Sequence, residues 1–536
     1  MARSLSPDAH SRAANGQMAE VRIVLRDIGG ILVIVGVLMA VPLVVSLIYR
    51  EYYTALAFAL SAVITAGAGR LAWWANREAG EPRQYHAYLI ASAGWLLMAA
   101  FGMLPFLFTA HLTPDDVAQS FVPAGQTYLS SLIYLANPLH AFFESMSAYT
   151  TTGLTMSVNE PSIGHGLLFY RSFAQWLGGA GVIVLSLAVL RRPAGMSQIA
   201  LYQSESAGMR LRQTILGTAR AIWNIYLTVT LAVAAYLAVG TFVLLPDYGV
   251  AATLFDAVNH AMAGQSTGGF STLDDSIAGY GSYGMELLHI PPMILGAISI
   301  PVFCHLTEGR DIGILWRDVQ TRVLIIFMTV GAPILILLLL NGPGVSDPVR
   351  EGLFQVISAA STTGWQTSNI GDWHPAAVIF IVMPFMIIGG SAGATVGGVK
   401  LIRAYLITRG IGWRIRRTFL PRGAVLNVAL GDRNLSARDF MDDIAEAGAF
   451  IFLYAAILVL SIIILSLVVG PEFTLADIIF EAASAQGTVG LSSNITSPDM
   501  PRIVEIVFIL QMWIGRLEIF PVLVLFRVLI RGFRTR

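Results

Sequence analysis

Four short segments of the chain bring threonine and glycine together in the same order. They read Thr150-Thr151-Thr152-Gly153, Ser266-Thr267-Gly268-Gly269, Ser361-Thr362-Thr363-Gly364 and Gly487-Thr488-Val489-Gly490, and an apolar residue follows each: Leu154, Phe270, Trp365 or Leu491. The chemistry such segments offer is oxygen donation, from backbone carbonyls and from hydroxyls. Rings of these oxygens replace the water shell of an alkali cation. Glycine serves that purpose because, lacking a Cβ, it lets the backbone turn its carbonyls toward one axis. A single Thr-x-Gly would carry no weight in a chain with 51 glycines. Four copies in one polypeptide supply a whole ring.

The elements around the copies repeat as well. Each copy ends a weakly apolar segment, at about 138–150, 252–266, 349–361 and 474–487. These are too short to cross a bilayer, which takes about 20 residues, and suit re-entrant half-helices. Non-helical backbone at membrane depth is tolerated only where it lines a water-filled cavity. Aligned on the central residue of each motif (Thr151, Thr267, Thr362, Thr488), position −7 is polar in every copy: Glu144, His260, Gln355 and Glu481. Positions −4 and −3 are small in all four. The last copy, Thr488-Val489-Gly490, is the first half of the potassium-channel signature, and a glycine at the same place in all copies favours potassium over sodium.

Candidate spans lie at about 28–49, 53–75, 85–109, 165–190, 215–245, 286–306, 322–341, 374–406, 444–469 and 502–531. After the first two, the order span, half-helix, motif, span recurs four times, a gapped repeat that outweighs any single motif. The expected fold is an all-α polytopic membrane protein, with four pseudo-symmetric helix–pore-loop–helix repeats around one central pore and two extra N-terminal transmembrane helices. The expected divisions are a cytoplasmic tail (1–27), the two extra helices (28–83), repeat 1 (84–195), repeat 2 (196–310), repeat 3 (311–432) and repeat 4 (433–536). The first ~20 residues read as a mobile tail with no cleavable signal peptide.

Composition agrees. Of 536 residues, 55% are hydrophobic and 12% charged, where soluble domains carry roughly 25% charged residues. Cys304, the single cysteine, excludes an intrachain disulfide and a thiolate metal cluster and reads as a small packing residue. Basic residues concentrate in 70–83, 191–220, 309–322, 400–438 and the C-terminus, which makes that side cytoplasmic. Both termini then lie inside and all four motifs open outward. The opposite loops hold Asp115, Asp116, Glu160, Asp247, Asp274, Asp275, Asp347, Asp372 and Asp499, an acidic rim that would concentrate cations.

Two further features bear on control. The span after the third motif contains Gly389-Gly390-Ser391-Ala392-Gly393-Ala394-Thr395-Val396-Gly397-Gly398, followed by Lys400 and Arg403. Five glycines in ten residues, each costing about 1 kcal/mol against alanine, break a helix. We read an intramembrane gating loop; the competing reading is close helix packing through Gly393-x-x-x-Gly397. No nucleotide loop is present here, since the Gly-Lys-Ser/Thr ending is missing. Arg516 falls about midway along the final span, where a charge costs roughly 2.5–3.5 kcal/mol. It reads as a fixed positive charge below the filter that ties down the glycine loop through its carbonyls; the competing reading is an ion pair with Glu518 or Glu481.

These residues resemble the Trk/Ktr/HKT superfamily of potassium transporters, and most closely its bacterial TrkH-type subunits. The resemblance rests on Phe142–Thr155, on Arg171-Ser172-Phe173-Ala174-Gln175-Trp176-Leu177-Gly178-Gly179-Ala180-Gly181, on Gly389–Arg403 and on Trp513-Ile514-Gly515-Arg516-Leu517-Glu518-Ile519-Phe520, and spans nearly the whole chain. It implies potassium uptake across a bacterial plasma (inner) membrane and a homodimer with one pore per protomer. It also implies a gate built from the glycine loop and Arg516, and a separate cytosolic nucleotide-binding regulatory subunit. Potassium is then the substrate, with no cofactor in this chain and no nucleic-acid partner. The second motif departs from the pattern by its additional glycine, Gly268, expected to loosen that quadrant.

Other residues read as structural. Arg171 and Glu144 are placed near the outer interface and on a pore helix. His140, His260, His289, His305 and His374 lack metal-ligand spacing. Asn494-Ile495-Thr496 is a glycosylation sequon, meaningful only in a secretory-pathway protein. An ion-coupled symporter would need a relay of buried acids that the sequence does not display, and a membrane enzyme would need convergent nucleophile, base or metal ligands.

Overall fold

The computed structural model describes residues 7–189, 215–309, 311–340, 342, 345–421, 428–430 and 433–533. The repeat boundaries expected at 195, 310 and 432, and the basic residues of 191–214, lie outside the described residues.

The four half-helices are present as Pro138–Tyr149, Val250–Gln265, Pro348–Ala360 and Leu475–Gly487. Their starts follow from local sequence. Asn137 and Asp347 cap the first and third with their side chains, each followed by proline at the first helical position, where its missing N–H is no loss. Thr474 and Asp477 form a reciprocal capping box on the fourth. Each half-helix lies between a longer helix before it and an exit helix after it. The preceding helices are Gln84–Gly102 (continued by Leu104–Leu112), Ile215–Leu244, Val319–Leu339 and Ala437–Ser466.

The exit helix of each repeat packs on the half-helix of the next. His165–Val189 meets the second half-helix, Tyr283–Ala297 the third, Pro375–Ile381 the fourth, and Arg502–Arg516 returns to the first. The arrangement is therefore a closed four-fold ring. His140 and Glu505, 2.9 Å apart, bridge its last seam, and Arg350 pairs with Glu286 across another. Large apolar side chains such as Val37, Val63, Leu71, Val239 and Phe452 point outward, as lipid-facing surfaces do.

Among the described residues, six helices are long and apolar enough to cross a membrane, and a seventh span arises if Tyr283–Ala297 and Ile300–Leu306, bent by 98°, count as one. The ten expected spans thus include broken ones. The second-repeat exit helix carries Pro291 and Pro292. The third-repeat exit passes through a π-turn at Val382–Met386 into the glycine segment. The last span is Arg502–Arg516 plus Phe520–Arg531, interrupted where Glu518 and Ile519 adopt positive φ. Arg516 consequently sits at the C-terminal end of a helix, where the dipole favours a cation, and not midway along a continuous one. Among the described residues two short ladders qualify the all-α reading: Ile388–Gly389 pairs in parallel with Val399–Lys400, and Val428–Leu430 pairs antiparallel with Arg433–Leu435.

From Glu20 onward the N-terminal helices are held by polar contacts. Helix begins at Pro7. Glu20 bonds Tyr85 and pairs with His86, and Arg26 donates to the Ala79 and Gly80 carbonyls. At the far end of this pair Glu51 accepts the His165 and Gly166 amides at 2.6 and 2.9 Å, capping the first exit helix.

Candidate ion-conducting site

The four motifs adopt one backbone conformation. Thr151, Thr267, Thr362 and Thr488 have φ of 53°, 51°, 54° and 49°, and Gly153, Gly269, Gly364 and Gly490 have φ of 94°, 77°, 85° and 92°. Left-handed backbone costs a β-branched residue roughly 1–2 kcal/mol, so four equivalent threonines held there are a shared design. The intervening residue of each motif donates its amide to the −4 carbonyl: Thr152 to Ser147, Gly268 to Ala263, Thr363 to Ser358 and Val489 to Ser484, at 2.8–3.0 Å.

The motifs also meet one another. A Cβ on Gly153 would lie 2.3 Å from the Gly268 carbonyl oxygen, and one on Gly269 would lie 1.9 Å from that of Thr363. On Gly364 it would lie 2.1 Å from the Val489 oxygen, and on Gly490 2.1 Å from the Thr152 oxygen. The sequence of neighbours runs 1–2–3–4 and back to 1. Each glycine is required twice, by its φ and by the carbonyl next door. All four glycines line one cavity of about 660 Å³, whose wall continues through Thr155, Glu160, Ser271, Gln366, Ser492 and Asn494.

Thr151, Thr362 and Thr488 are fully buried, and among the described residues their hydroxyls have no hydrogen-bond partner. Leaving a buried hydroxyl unpaired costs about 1–3 kcal/mol, unless something else supplies the contact. Three such oxygens, at the same place in three repeats, are donors of the kind an alkali cation takes in place of water. The fourth, Thr267 Oγ1, is engaged by the Ser266 carbonyl at 2.7 Å and by Thr395 Oγ1 at 3.2 Å.

The polar residue at −7 acquires a purpose. In every repeat it bonds the residue three beyond the motif's last glycine. Glu144 accepts the Met156 amide at 2.8 Å, His260 the Thr272 amide at 3.4 Å and Glu481 the Ser493 amide at 2.7 Å, while Gln355 donates to Thr367 Oγ1 at 3.4 Å. These straps fix the segment leaving each motif to its own half-helix. Glu481 also receives Ser492, Ser493 and Thr496 hydroxyls and the Thr496 amide. Glu481→Ala should therefore lower the melting temperature of the solubilised protein, by a loss of about 3 kcal/mol from stranded buried donors; alanine at exposed Glu472 is the control. Equal melting curves would refute the strap. Arg171 reinforces the first strap through Glu144 at 2.7 Å and Thr155 at 2.9 Å, and its guanidinium lies 4.1 Å over the Phe270 ring.

Against the half-helix ends that lead into the motifs lies the glycine segment. Its neck is the parallel pairing of 388–389 with 399–400, so residues 390–398 form a loop. The loop reaches beneath its neighbours. Ser391 N–H donates to the Ala297 carbonyl at 3.1 Å, and Thr395 Oγ1 donates to the Gln265 and Gly296 carbonyls at 3.2 Å. Gly397 leaves no room for a Cβ, which would fall 2.0 Å from Thr488 Oγ1. Gly390, Gly393 and Gly398 have φ of 48°, 82° and 66°. Unwound backbone, not helix packing through Gly393 and Gly397, explains the glycines. Lys400 donates to the Val396 carbonyl within the loop. Arg516 donates to the Thr395 carbonyl and, at 3.2 Å, to that of Gly178. Neither expected carboxylate pairs with it: Glu518 bonds Arg403 at 2.5 Å, and Glu481 belongs to the fourth strap.

The remaining candidates fall into place around this axis. Burial pushes the Glu160 carboxyl up to about 8 against the opposing pull of Arg171, and burial also raises Asp274; the acidic rim is weaker than a count of its residues implies. His260 and His289 lie 3.3 Å apart behind the second motif, with Tyr280 bonding both His260 and Asp256. His305 bonds the Pro301 carbonyl and His374 caps the Ala376 amide. Among the described residues no group of three His, Cys, Asp or Glu could hold a metal ion. Cys304 is buried beside Ile222, Tyr226 and Ile300. Asn494, in the sequon, donates to Asn369 at 2.8 Å.

Comparison with known proteins points the same way. Residues 86–532 match the TrkH family profile, described as cation transport protein. An uncharacterized cation transporter of Methanocaldococcus jannaschii is 32% identical, over 94% of this chain and 95% of its own. The Trk system potassium uptake protein TrkH of Escherichia coli K12 is 30% identical over 94% and 98%, and that of Halomonas elongata is 31% identical over the same shares. The crystal structure of the potassium transporter TrkH from Vibrio parahaemolyticus superposes with a TM-score of 0.76 at 27% identity, covering 94% of this chain and 98% of that one.

Proposed function

The chain belongs to the TrkH family of cation transport proteins, and from that premise we propose that it carries potassium into the cell through the four-motif ring. The observation that carries the reading is the closed ring itself, with three threonine hydroxyls that have no hydrogen-bond partner among the described residues. The ion is held by carbonyls of 150–153, 266–269, 361–364 and 487–490, with hydroxyl help from Thr151, Thr362 and Thr488. The four half-helices end at the ring, so their C-terminal dipoles favour a cation there. Inward movement is driven by the membrane potential, at about 2.3 kcal/mol per charge per 100 mV.

The loop 390–398 and Arg516 act as the gate below the ring. Thr395 touches a ring hydroxyl on one side and accepts Arg516 on the other, so moving the arginine and moving the loop are one event. The protein is a multi-pass membrane protein; we place it in the bacterial inner membrane with both termini cytoplasmic, as a homodimer with one pore per protomer. A separate cytosolic nucleotide-binding subunit docks on the inner face and shifts the gate.

The test is flux into proteoliposomes under K⁺ or Na⁺ gradients. Potassium should enter at least tenfold faster than sodium; equal rates would overturn the filter assignment.

A further inference from the structure

The second motif is held differently from the others. In repeats 1 and 4 the −4 residue is serine, and its hydroxyl accepts the amide of the ring glycine: Gly153 N–H to Ser147 Oγ at 3.0 Å and Gly490 N–H to Ser484 Oγ at 3.1 Å. In repeat 3 Ser358 Oγ donates to the Trp365 carbonyl at 2.7 Å. In repeat 2 the equivalent residue is Ala263, which has no hydroxyl to give.

Gln175 fills that role from another repeat. It sits on the first exit helix, fully buried. Its Nε2 donates to the Gly268 carbonyl at 2.5 Å and its Oε1 accepts the Phe270 amide at 3.2 Å. The amide orientation is fixed by these partners, since a flipped side chain would set oxygen against oxygen and N–H against N–H. The two bonds bracket Gly269, the ring glycine of this quadrant. A Cβ on Gly268 would lie 2.3 Å from Gln175 Cδ, and Gly268 is absent from the positive-φ residues. Its glycine therefore serves space, not conformation. The additional glycine does not loosen the quadrant; it admits the side chain that holds it.

We propose that Gln175 is the positioning residue of the second quadrant, replacing the missing −4 serine and setting the direction of the Gly268 carbonyl. That carbonyl oxygen is the one that crowds Gly153 at the seam with repeat 1. A carbonyl has two lone pairs, so the bond from Gln175 orients it and leaves a lone pair for an ion. Ala263, Gly268 and Gln175 thus form one compensating set, and the first repeat governs ion discrimination in the second.

This inference rests on the potassium-filter reading, so wild-type protein is the first arm of its test. K⁺ and Na⁺ fluxes are measured in proteoliposomes for wild type, Gln175→Leu, Gln175→Met and the double variant Gln175→Leu/Ala263→Ser, each checked for monodispersity. Wild type without preference defeats the filter reading itself. With preference present in wild type, Gln175→Leu should lower the K⁺/Na⁺ flux ratio about tenfold, and restoring the hydroxyl at 263 should recover part of it. Gln175→Met has nearly the length and volume of glutamine but neither donates to the Gly268 carbonyl nor accepts the Phe270 amide. It should also lower the ratio, and it decides the matter if the leucine variant does not fold. An unchanged ratio in Gln175→Met overturns the proposal. So does a parallel loss of both fluxes at constant ratio, the mark of a merely structural residue.

Discussion

Replacing Arg516 with alanine should raise potassium flux on the order of tenfold in proteoliposomes that lack any regulatory partner. Two effects add. The guanidinium is buried and, among the described residues, has no carboxylate within salt-bridge distance, so its charge opposes every cation below the ring. Two unit charges 4 Å apart interact by about 1 kcal/mol in water and about 4 kcal/mol at an effective dielectric of 20. Each 1.4 kcal/mol is a factor of ten, which places the electrostatic effect alone between several-fold and several hundred-fold. The second effect is mechanical, because the Thr395 carbonyl loses its tether. Arg516→Lys separates them: it keeps a charge but loses the planar fork that reaches Thr395 and Gly178 together. Flux should then rise less than for alanine. Unchanged or lower flux in a monodisperse alanine variant would sink the gate.

What the sequence made legible, and what it did not, follows the range of the interactions involved. The four motifs, the half-helices before them and the polar −7 position were visible because they repeat, and a repeat needs only local comparison. The purpose of the −7 residues was not visible. Glu144 and Glu481 look like stray acids until Met156 and Ser493 fold back onto them. The glycine-rich loop could be read from the cost of five glycines in a helix, yet its neck at 388–389 and 399–400 depends on pairing across the unwound segment. Breaks at Ala297 and at Arg516 hid inside windows apolar enough to pass as continuous spans. Hydropathy averages over such windows and is blind to the positive φ of Glu518 and Ile519. Gln175 was the least legible of all: one amide in an apolar stretch, whose meaning rests on the absence of a hydroxyl at 263.

Gly364→Ala should abolish discrimination between potassium and sodium, with at least a tenfold fall in the flux ratio. An alanine there must adopt φ near 85°, at a cost of roughly 1–2 kcal/mol, and its methyl carbon would fall 2.1 Å from the Val489 carbonyl oxygen. Backbone on both sides leaves no flexible side chain to yield. One methyl group therefore disturbs two quadrants, the third through its own φ and the fourth through the displaced carbonyl. Gly269→Ala should act alike on the second and third, since its neighbour is the Thr363 oxygen at 1.9 Å. Gly268→Ala is the discriminating control. It lacks the positive φ, and the atoms nearest its methyl belong to the end of the Gln175 side chain, which can move aside. Its ratio should fall to the level of Gln175→Leu and no further. Potassium-dependent protection gives a second readout, because a ligand that binds only the folded ring raises the melting temperature by mass action. Wild type should melt higher in potassium than in sodium, and Gly364→Ala should show no difference. If Gly364→Ala kept both its flux ratio and its potassium-dependent shift, the ring of glycines would be packing and not a filter.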